Sequence, residues 1–473
     1  MMSYVFIGMT AALCAVLYII GRMVKDDRRA VLSSKIILLA ASYAFIAYAD
    51  WRFAAVLFAV TLSTWFFAEK KYYAVGIAFA LAALAFFKYT DFFAGSFARV
   101  FGLDYTALKI ILPLGLSFYV FSAISYLADV KRKKLDPRGL LDLALYMSFY
   151  PKLTSGPIQR ADDFFSQADK RLRISADGLS AGVQIFVFGL FKKIVIADRL
   201  SVFVDQVYAA PNAFGSFTVL LAVLSYSLQI YFDFSGYSDI AIGAARALGF
   251  ELPRNFDLPY LAHNVTELWK RWHITLSSWL QDYLYIPLGG SRRGKARTYL
   301  NLVLTMVLGG LWHGANLTFI VWGALHGAAL AVHKLWMSLT GSREKEHGLA
   351  SNALSVLTTF LFTSFCWIFF RAGSLSEAWA IVKRLFSFSG GIEHPSLWTF
   401  VAFAVLLGGT AAAWLKSKNS QLTGKSKNVS RVHGFYPIFD LNKFWGLVAL
   451  LVLIGITLGL AYTGGSPFIY GKF

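Results

Sequence analysis

Long apolar runs separated by short polar joints fill this chain, and within each run the apolar residues are continuous rather than alternating. That pattern predicts membrane-crossing α-helices, since about 20 consecutive apolar residues carry a helix through the hydrocarbon core. A β-barrel would show an in–out alternation instead. The runs are Tyr4–Gly21, Ile36–Ala49, Phe53–Ala68, Tyr72–Phe87, Leu108–Leu127, Leu179–Ile196, Phe217–Phe232, Leu300–Leu311, Leu317–Leu330, Leu354–Phe370, Trp398–Leu415 and Phe444–Tyr462. Several are short for a full crossing and predict re-entrant or broken helices, whose backbone groups neighbouring protein must satisfy. The expectation is an all-α integral membrane protein of about 10–13 transmembrane or re-entrant helices. It forms a single multi-pass domain over residues 1–473, with residues 464–473 as a C-terminal tail.

Composition agrees with that reading. Of 473 residues, 57% are hydrophobic and only 15% charged, too few charges to cover a soluble surface. Lys and Arg outnumber Asp and Glu by 45 to 26. The basic residues lie in short joints between apolar runs, which is the positive-inside pattern and suits anionic lipid headgroups. Membrane lipids are therefore the expected partner, and nucleic acid is not. Arg22–Lys35, Lys70-Lys71, Lys131–Lys134 and the stretch Lys416–Arg431 mark cytoplasmic loops, which places both termini outside. The first run reads as an uncleaved helix rather than a signal peptide. Cys14 and Cys366 have neither metal spacing nor the arrangement of a disulfide framework, and no metal site is expected.

Chemistry concentrates between Tyr226 and His326, where polar residues interrupt membrane helix. Ionisable groups in such places are expensive and default to functional candidates. Asp233 and Asp239 lie in Tyr231–Asp239; they either pair with Arg or backbone donors to fix packing, or serve the site directly. Glu267–Leu280 holds Trp269-Lys270-Arg271-Trp272-His273, with the Trp and Arg content of an interfacial or re-entrant helix. Alone, a histidine such as His273 is more often structural than functional. His313 sits in Gly309-Gly310-Leu311-Trp312-His313-Gly314-Ala315-Asn316, where glycines admit close approach of backbone or substrate. An imidazole there can act as general base, proton relay or metal ligand. Trp312, Asn316 and His326 are candidates for supporting the site, and two helical turns separate His326 from His333. Gly289–Arg297 carries Arg292, Arg293, Lys295 and Arg297, which suit either a phosphate-bearing donor or a topology signal. The Gly178-Leu179-Ser180-Ala181-Gly182 match opens an apolar helix and follows no strand, so a serine nucleophile elbow is not supported.

Ser155-Gly156-Pro157-Ile158-Gln159-Arg160, Tyr231–Asp239, Trp269–His273, Tyr283–Gly290 and Trp312–Ala315, in this order and spacing, resemble the membrane-bound O-acyltransferase (MBOAT) family. The likeness is to its bacterial branch of alginate and peptidoglycan O-acetyltransferases and teichoic acid D-alanyltransferases. The resemblance implies a ring of helices around a tunnel, His313 as the essential histidine and His273 as the second polar residue of the site. It implies a cytoplasmic thioester donor, acetyl-CoA, with no bound cofactor, and O-acylation of a cell-surface or exported polysaccharide from a bacterial plasma membrane. D-alanyl transfer from a carrier protein is the alternative, and a lipid or polysaccharide transporter is the alternative from another class. The tail Phe468-Ile469-Tyr470-Gly471-Lys472-Phe473 is similar to the F-x-Y-x-x-F endings of related systems. This implies Tyr470 as an acyl relay to an extracytoplasmic SGNH-type transferase; an aromatic interfacial anchor is the plain alternative.

Overall fold

The computed structural model describes residues 4–341, 348–422 and 439–464. Its helices are α1 (Tyr4–Met23), α2 (Asp27–Ala49), α3 (Trp51–Glu69), α4 (Tyr73–Phe101), α5 (Leu116–Lys131), α6 (Leu140–Ser148), α7 (Tyr150–Leu153), α8 (Ala161–Ala168), α9 (Ala176–Leu190), α10 (Asp198–Ala209), α11 (Ser216–Ala247), α12 (Val265–Arg271), α13 (Ile274–Leu280), α14 (Lys295–His313), α15 (Leu317–Thr340), α16 (Leu349–Arg371), α17 (Leu375–Phe386), α18 (Leu397–Leu422) and α19 (Phe444–Gly459). Two π-helical segments, Phe191–Ala197 and Gln281–Tyr285, interrupt this pattern. Among the described residues the only β pairing is an isolated bridge between Phe214 and Ile392. Among the described residues, eight helices are long and apolar enough to cross a membrane, and 397–411 and Phe444–Gly459 are shorter apolar helices. The protein is an all-helical, multi-span membrane protein.

Helix boundaries depart from the apolar runs where backbone chemistry intervenes. The run Leu108–Leu127 becomes helix only from Leu116. Pro113 lacks a backbone N–H, and Gly115 takes a left-handed φ of 76°. Conversely, α18 continues to Leu422, so Lys416 and Lys418, expected in a loop, extend a helix. Lys425, Lys427 and Arg431 lie outside the described residues.

Contacts divide the chain into two compact units, Met1–Phe186 with Ser238–Pro253, and Val187–Tyr237 with Arg254–Phe473. The first holds a ring cluster in which Phe164 stacks on Phe250 at 5.5 Å and Phe149 lies 4.8 Å from Phe250. The buried Lys152 side-chain nitrogen sits 4.0 Å from the Tyr146 ring and 4.4 Å from that of Phe164. The glycines of the Gly178–Gly182 segment serve a helix crossing. A side-chain carbon at Gly182 would fall 2.7 Å from the Gly243 carbonyl oxygen, so α9 and α11 meet backbone to backbone. Ser180 accepts a hydrogen bond from Gln184.

The second unit is built around the α14–α15 hairpin and an aromatic core that includes Tyr231, Trp272, Phe319, Trp322, Trp367 and Phe370. Gly310, Gly323 and Gly327 set the spacing of the hairpin. A side chain on Gly310 would overlap the Phe319 carbonyl oxygen, one on Gly323 the Met306 carbonyl oxygen, and one on Gly327 would lie 2.7 Å from the Val303 Cα. Such small-residue contacts let membrane helices approach closely. In the same unit Lys193 pairs with Asp198 at 2.8 Å and with Asp233 at 2.5 Å, all three buried. Buried membrane charges persist when partnered in this way.

Candidate active site

His313 is the last residue of α14. The helix ends there because Gly314 turns to extended backbone (ψ 148°) and Asn316 caps α15 by accepting from the Thr318 N–H at 3.1 Å. The Asn316 amide also donates to the Gly373 carbonyl at 2.6 Å, which ties the turn to the end of α16. The imidazole is buried, with ring centroids of Trp312, Trp322 and Phe370 at 4.9, 5.3 and 5.2 Å. Aromatic edges on several sides fix the ring's orientation and shield it from lipid.

His273 separates α12 from α13 and adopts a left-handed backbone, φ 42°. Non-glycine residues avoid this region, and its use at functional positions is a recognised form of stored strain. The segment Asn255–Asp257 holds it. The Ile274 N–H donates to the Asn255 carbonyl at 2.9 Å, the Asp257 N–H donates to the Arg271 carbonyl at 3.0 Å, and the Thr275 hydroxyl donates to the Asn255 side chain at 2.6 Å. The His273 carbonyl accepts from Ser277, opening α13. Its imidazole is fully buried and meets the Phe234 ring edge-on at 4.6 Å.

A chain of rings joins the two histidines. Trp272 lies 5.0 Å from Trp367, Trp367 lies 5.2 Å from Phe370, and Phe370 touches His313. His326 belongs to the same cluster, edge-on to Trp269 at 5.3 Å and to Trp322 at 5.1 Å. His333 instead contacts the Thr266 hydroxyl at 2.9 Å. On α12, burial raises the Glu267 carboxyl, but bonds from His263 and Arg271 outweigh it and hold it below the usual carboxylate range. Glu267 therefore stays charged and braces the turn ahead of His273. No group of three or more potential metal ligands occurs among the described residues.

A cavity of about 720 Å³ opens beside these helices. Exposed Lys270, Ser291 and Lys334 stand in its wall, and buried Leu280, Thr305 and Met306 line its inner part. Most of the wall is apolar. Ile274, next to His273, belongs to it, but neither His273 nor His313 does. One methyl of Leu280 lies 3.2 Å from where a side chain on Gly309, about one turn before His313, would begin.

The predicted residues distribute unevenly. His273, His313, His326, Trp312, Asn316 and Asp233 fall in the second unit, whereas Asp239 falls in the first. Asp233 is paired with Lys193. Arg292, Arg293, Lys295 and Arg297 are exposed and lie outside the cavity wall. Ser291 is in that wall and accepts a bond from Lys334 at 2.9 Å. Tyr470 lies outside the described residues. Asn255, Phe370, Trp367 and Lys334 were not singled out from sequence. Asn255 stands in an unremarkable Pro-Arg-Asn-Phe stretch, and the others lie outside the motifs that carry His273 and His313.

The family model for the membrane-bound O-acyltransferase family matches residues 106–371. A probable alginate O-acetylase of Pseudomonas putida is 40% identical over 466 residues, covering 93% of this chain and 94% of that protein. A peptidoglycan O-acetyltransferase of Helicobacter pylori is 38% identical over 349 residues, covering 68% of this chain and 66% of its own length. A teichoic acid D-alanyltransferase of Bacillus subtilis is more distant, 26% identical over 276 residues, covering 55% of this chain and 69% of its own.

Proposed function

The chain belongs to the membrane-bound O-acyltransferase family and is an acyltransferase, not a transporter; from that premise we propose a route for the acyl group. The group is acetyl, its donor a cytoplasmic acetyl-CoA, and its destination a hydroxyl of a cell-surface or exported polysaccharide, as the names of the alginate and peptidoglycan relatives suggest. The observation that carries this reading is the cavity between the two histidine-bearing segments. Its apolar interior suits an acyl thioester, and Lys270 and Lys334 in its wall suit phosphates.

In the reaction, an acceptor oxygen attacks the thioester carbonyl carbon as His313 takes the hydroxyl proton. His273 orients the acyl carbonyl and stabilises the oxyanion that develops. Collapse breaks the C–S bond, and the departing sulfur takes the proton from His313. Since neither imidazole lines the cavity, side chains of its wall have to move for the acyl carbon to reach His313.

The protein resides in a bacterial plasma membrane with both ends outside, the orientation that the basic joints favour. Tyr470 then faces the side on which a polysaccharide is modified. Its phenol accepts the acetyl group and passes it to an extracytoplasmic SGNH-type transferase; phenoxide is a better leaving group than a sugar alkoxide, so the aryl ester is a reactive relay. Purified protein incubated with acetyl-CoA should release CoA thiol, and mass spectrometry should find acetyl on Tyr470. Thiol release without label on Tyr470 removes the relay and leaves the transferase. Full polymer acetylation in cells carrying Tyr470→Phe does the same. If thiol appears only with a D-alanyl carrier protein, the acyl group is D-alanine.

A further inference from the structure

Away from the histidines, the first unit carries an open groove of about 560 Å³ beside the joint between α1 and α2. Val31, Leu32 and Leu141 give it an apolar floor, and Asp27, Arg28, Lys35, Asp142, Asp169, Lys170 and Arg171 give it a charged rim. The charges are not equivalent. Lys35, itself buried, bridges Asp142 and Asp169 at 2.7 Å each, and Arg138 also bonds Asp169 at 2.8 Å. Burial raises the Asp169 carboxyl, but these two cations outweigh it and hold it ionised, below the usual carboxylate range. Arg171 pairs with Asp27 at 2.6 Å and donates to the carbonyls of Gly21 and Val24. Every acid of the rim is thus spent on a cation that organises the walls. Arg28 and Lys170 remain, exposed and with no side-chain ion pair among the described residues.

The apolar floor is continuous with lipid-facing surface. Leu32 and, one turn on, Ile36 of α2 are each 49% exposed, on a helix apolar enough to cross the bilayer. The groove therefore offers two uncommitted cations beside apolar side chains at the place where a membrane helix leaves the membrane. We infer that it is a binding site for an anionic phospholipid of the leaflet that the Arg22–Lys35 joint faces. Arg28 and Lys170 hold the headgroup phosphate, and the acyl chains lie along Leu32 and Ile36. Charge complementarity selects the occupant: a zwitterionic headgroup would set its own cation against a rim whose acids are already neutralised. Apolar neighbours distinguish a lipid from a free phosphate. The site is independent of the acyl-transfer chemistry, which concerns other residues.

The test uses the full-length protein in nanodiscs of phosphatidylcholine with and without phosphatidylglycerol, reading retained lipid by native mass spectrometry. Each cation near a membrane surface strengthens anionic-lipid binding about fivefold, so wild type should retain phosphatidylglycerol over phosphatidylcholine by an order of magnitude or more. The R28Q/K170Q protein should lose most of that preference. K131Q/K133Q, which removes two exposed cations at the end of α5, should keep it. Absence of a preference in wild type overturns the proposal, as does an equal loss in K131Q/K133Q. Displacement of the retained lipid by millimolar inorganic phosphate would reassign the site to free phosphate and overturn it as well.

Discussion

At the scale of single residues, two histidines are held by opposite devices. His313 is fixed by packing, with its ring set between Trp312, Trp322 and Phe370. His273 is fixed by backbone, in a left-handed turn that the Asn255–Asp257 segment keeps in place. Removing a general base removes the proton acceptor without touching the donor site. His313→Ala should therefore lower thioester turnover by about 10²–10⁴-fold with little change in donor KM. Steady-state release of CoA thiol checks this, and an unchanged rate would dismiss His313 as the base. Asn255 acts at one remove. Asn255→Ala leaves the buried Thr275 hydroxyl without its 2.6 Å partner, a loss of about 1–3 kcal/mol. Because the Ile274–Asn255 backbone bond survives, the protein should fold with a lowered unfolding temperature, and kcat should fall while donor KM holds. A loss confined to stability would make Asn255 a scaffold residue only.

At the scale of elements, the α14–α15 hairpin decides where His313 stands, because its glycines leave no room between the two backbones. Gly323→Ala sets a methyl against the Met306 carbonyl, and backbone cannot swing aside as a side chain can. Overpacking of this kind typically destabilises by about 1–3 kcal/mol, so the variant should unfold at lower temperature in detergent. Gly408→Ala, where nothing lies within 4 Å, should not, and equal behaviour of the two would contradict the close packing. The same elements show what sequence can reveal. Hydrophobic runs announced α14 and α15 because lipid demands uninterrupted apolar length, and the glycine-flanked histidine was visible as an ionisable residue among apolar ones. The π-helical turn Phe191–Ala197 was not, since no hydrophobic pattern distinguishes it from α-helix; within it Lys193 pairs with Asp198, five residues on, and with Asp233 of α11. Nor was the turn at His273 legible, because its left-handed backbone is imposed by Asn255, eighteen residues earlier in the chain. The cavity wall was not legible for a related reason. The cluster Arg292–Arg297 is conspicuous in sequence, whereas Lys270 and Lys334 meet only once α12 and α15 pack together.

At the scale of the molecule, the proposed acetyl-CoA donor, rich in phosphate, raises the question of which of the many cations matter for capture. Net charge of +19 creates a general attraction, but such long-range fields act mainly on encounter and are screened beyond a Debye length of about 8 Å at physiological ionic strength. Cations at the cavity act at closer range and should show in binding. Lys270 and Lys334 both stand in its wall and are exposed, so each contact is worth little by itself. A combined loss of about 1 kcal/mol corresponds to roughly a fivefold rise in KM. K270Q/K334Q should raise the KM for acetyl-CoA by about that factor at constant kcat, since binding to donor and transition state is weakened equally. The rise should shrink when salt is increased. The same variant should leave the KM for a truncated acetyl thioester without phosphates unchanged, because that donor uses only the apolar interior lined by Leu280, Thr305 and Met306. R292Q/R293Q, outside the wall, should have the smaller effect on both donors. If instead the Arg292–Arg293 pair dominates the phosphate-dependent part of KM, the donor approaches along the Gly289–Arg297 loop and the cavity serves only its acyl end.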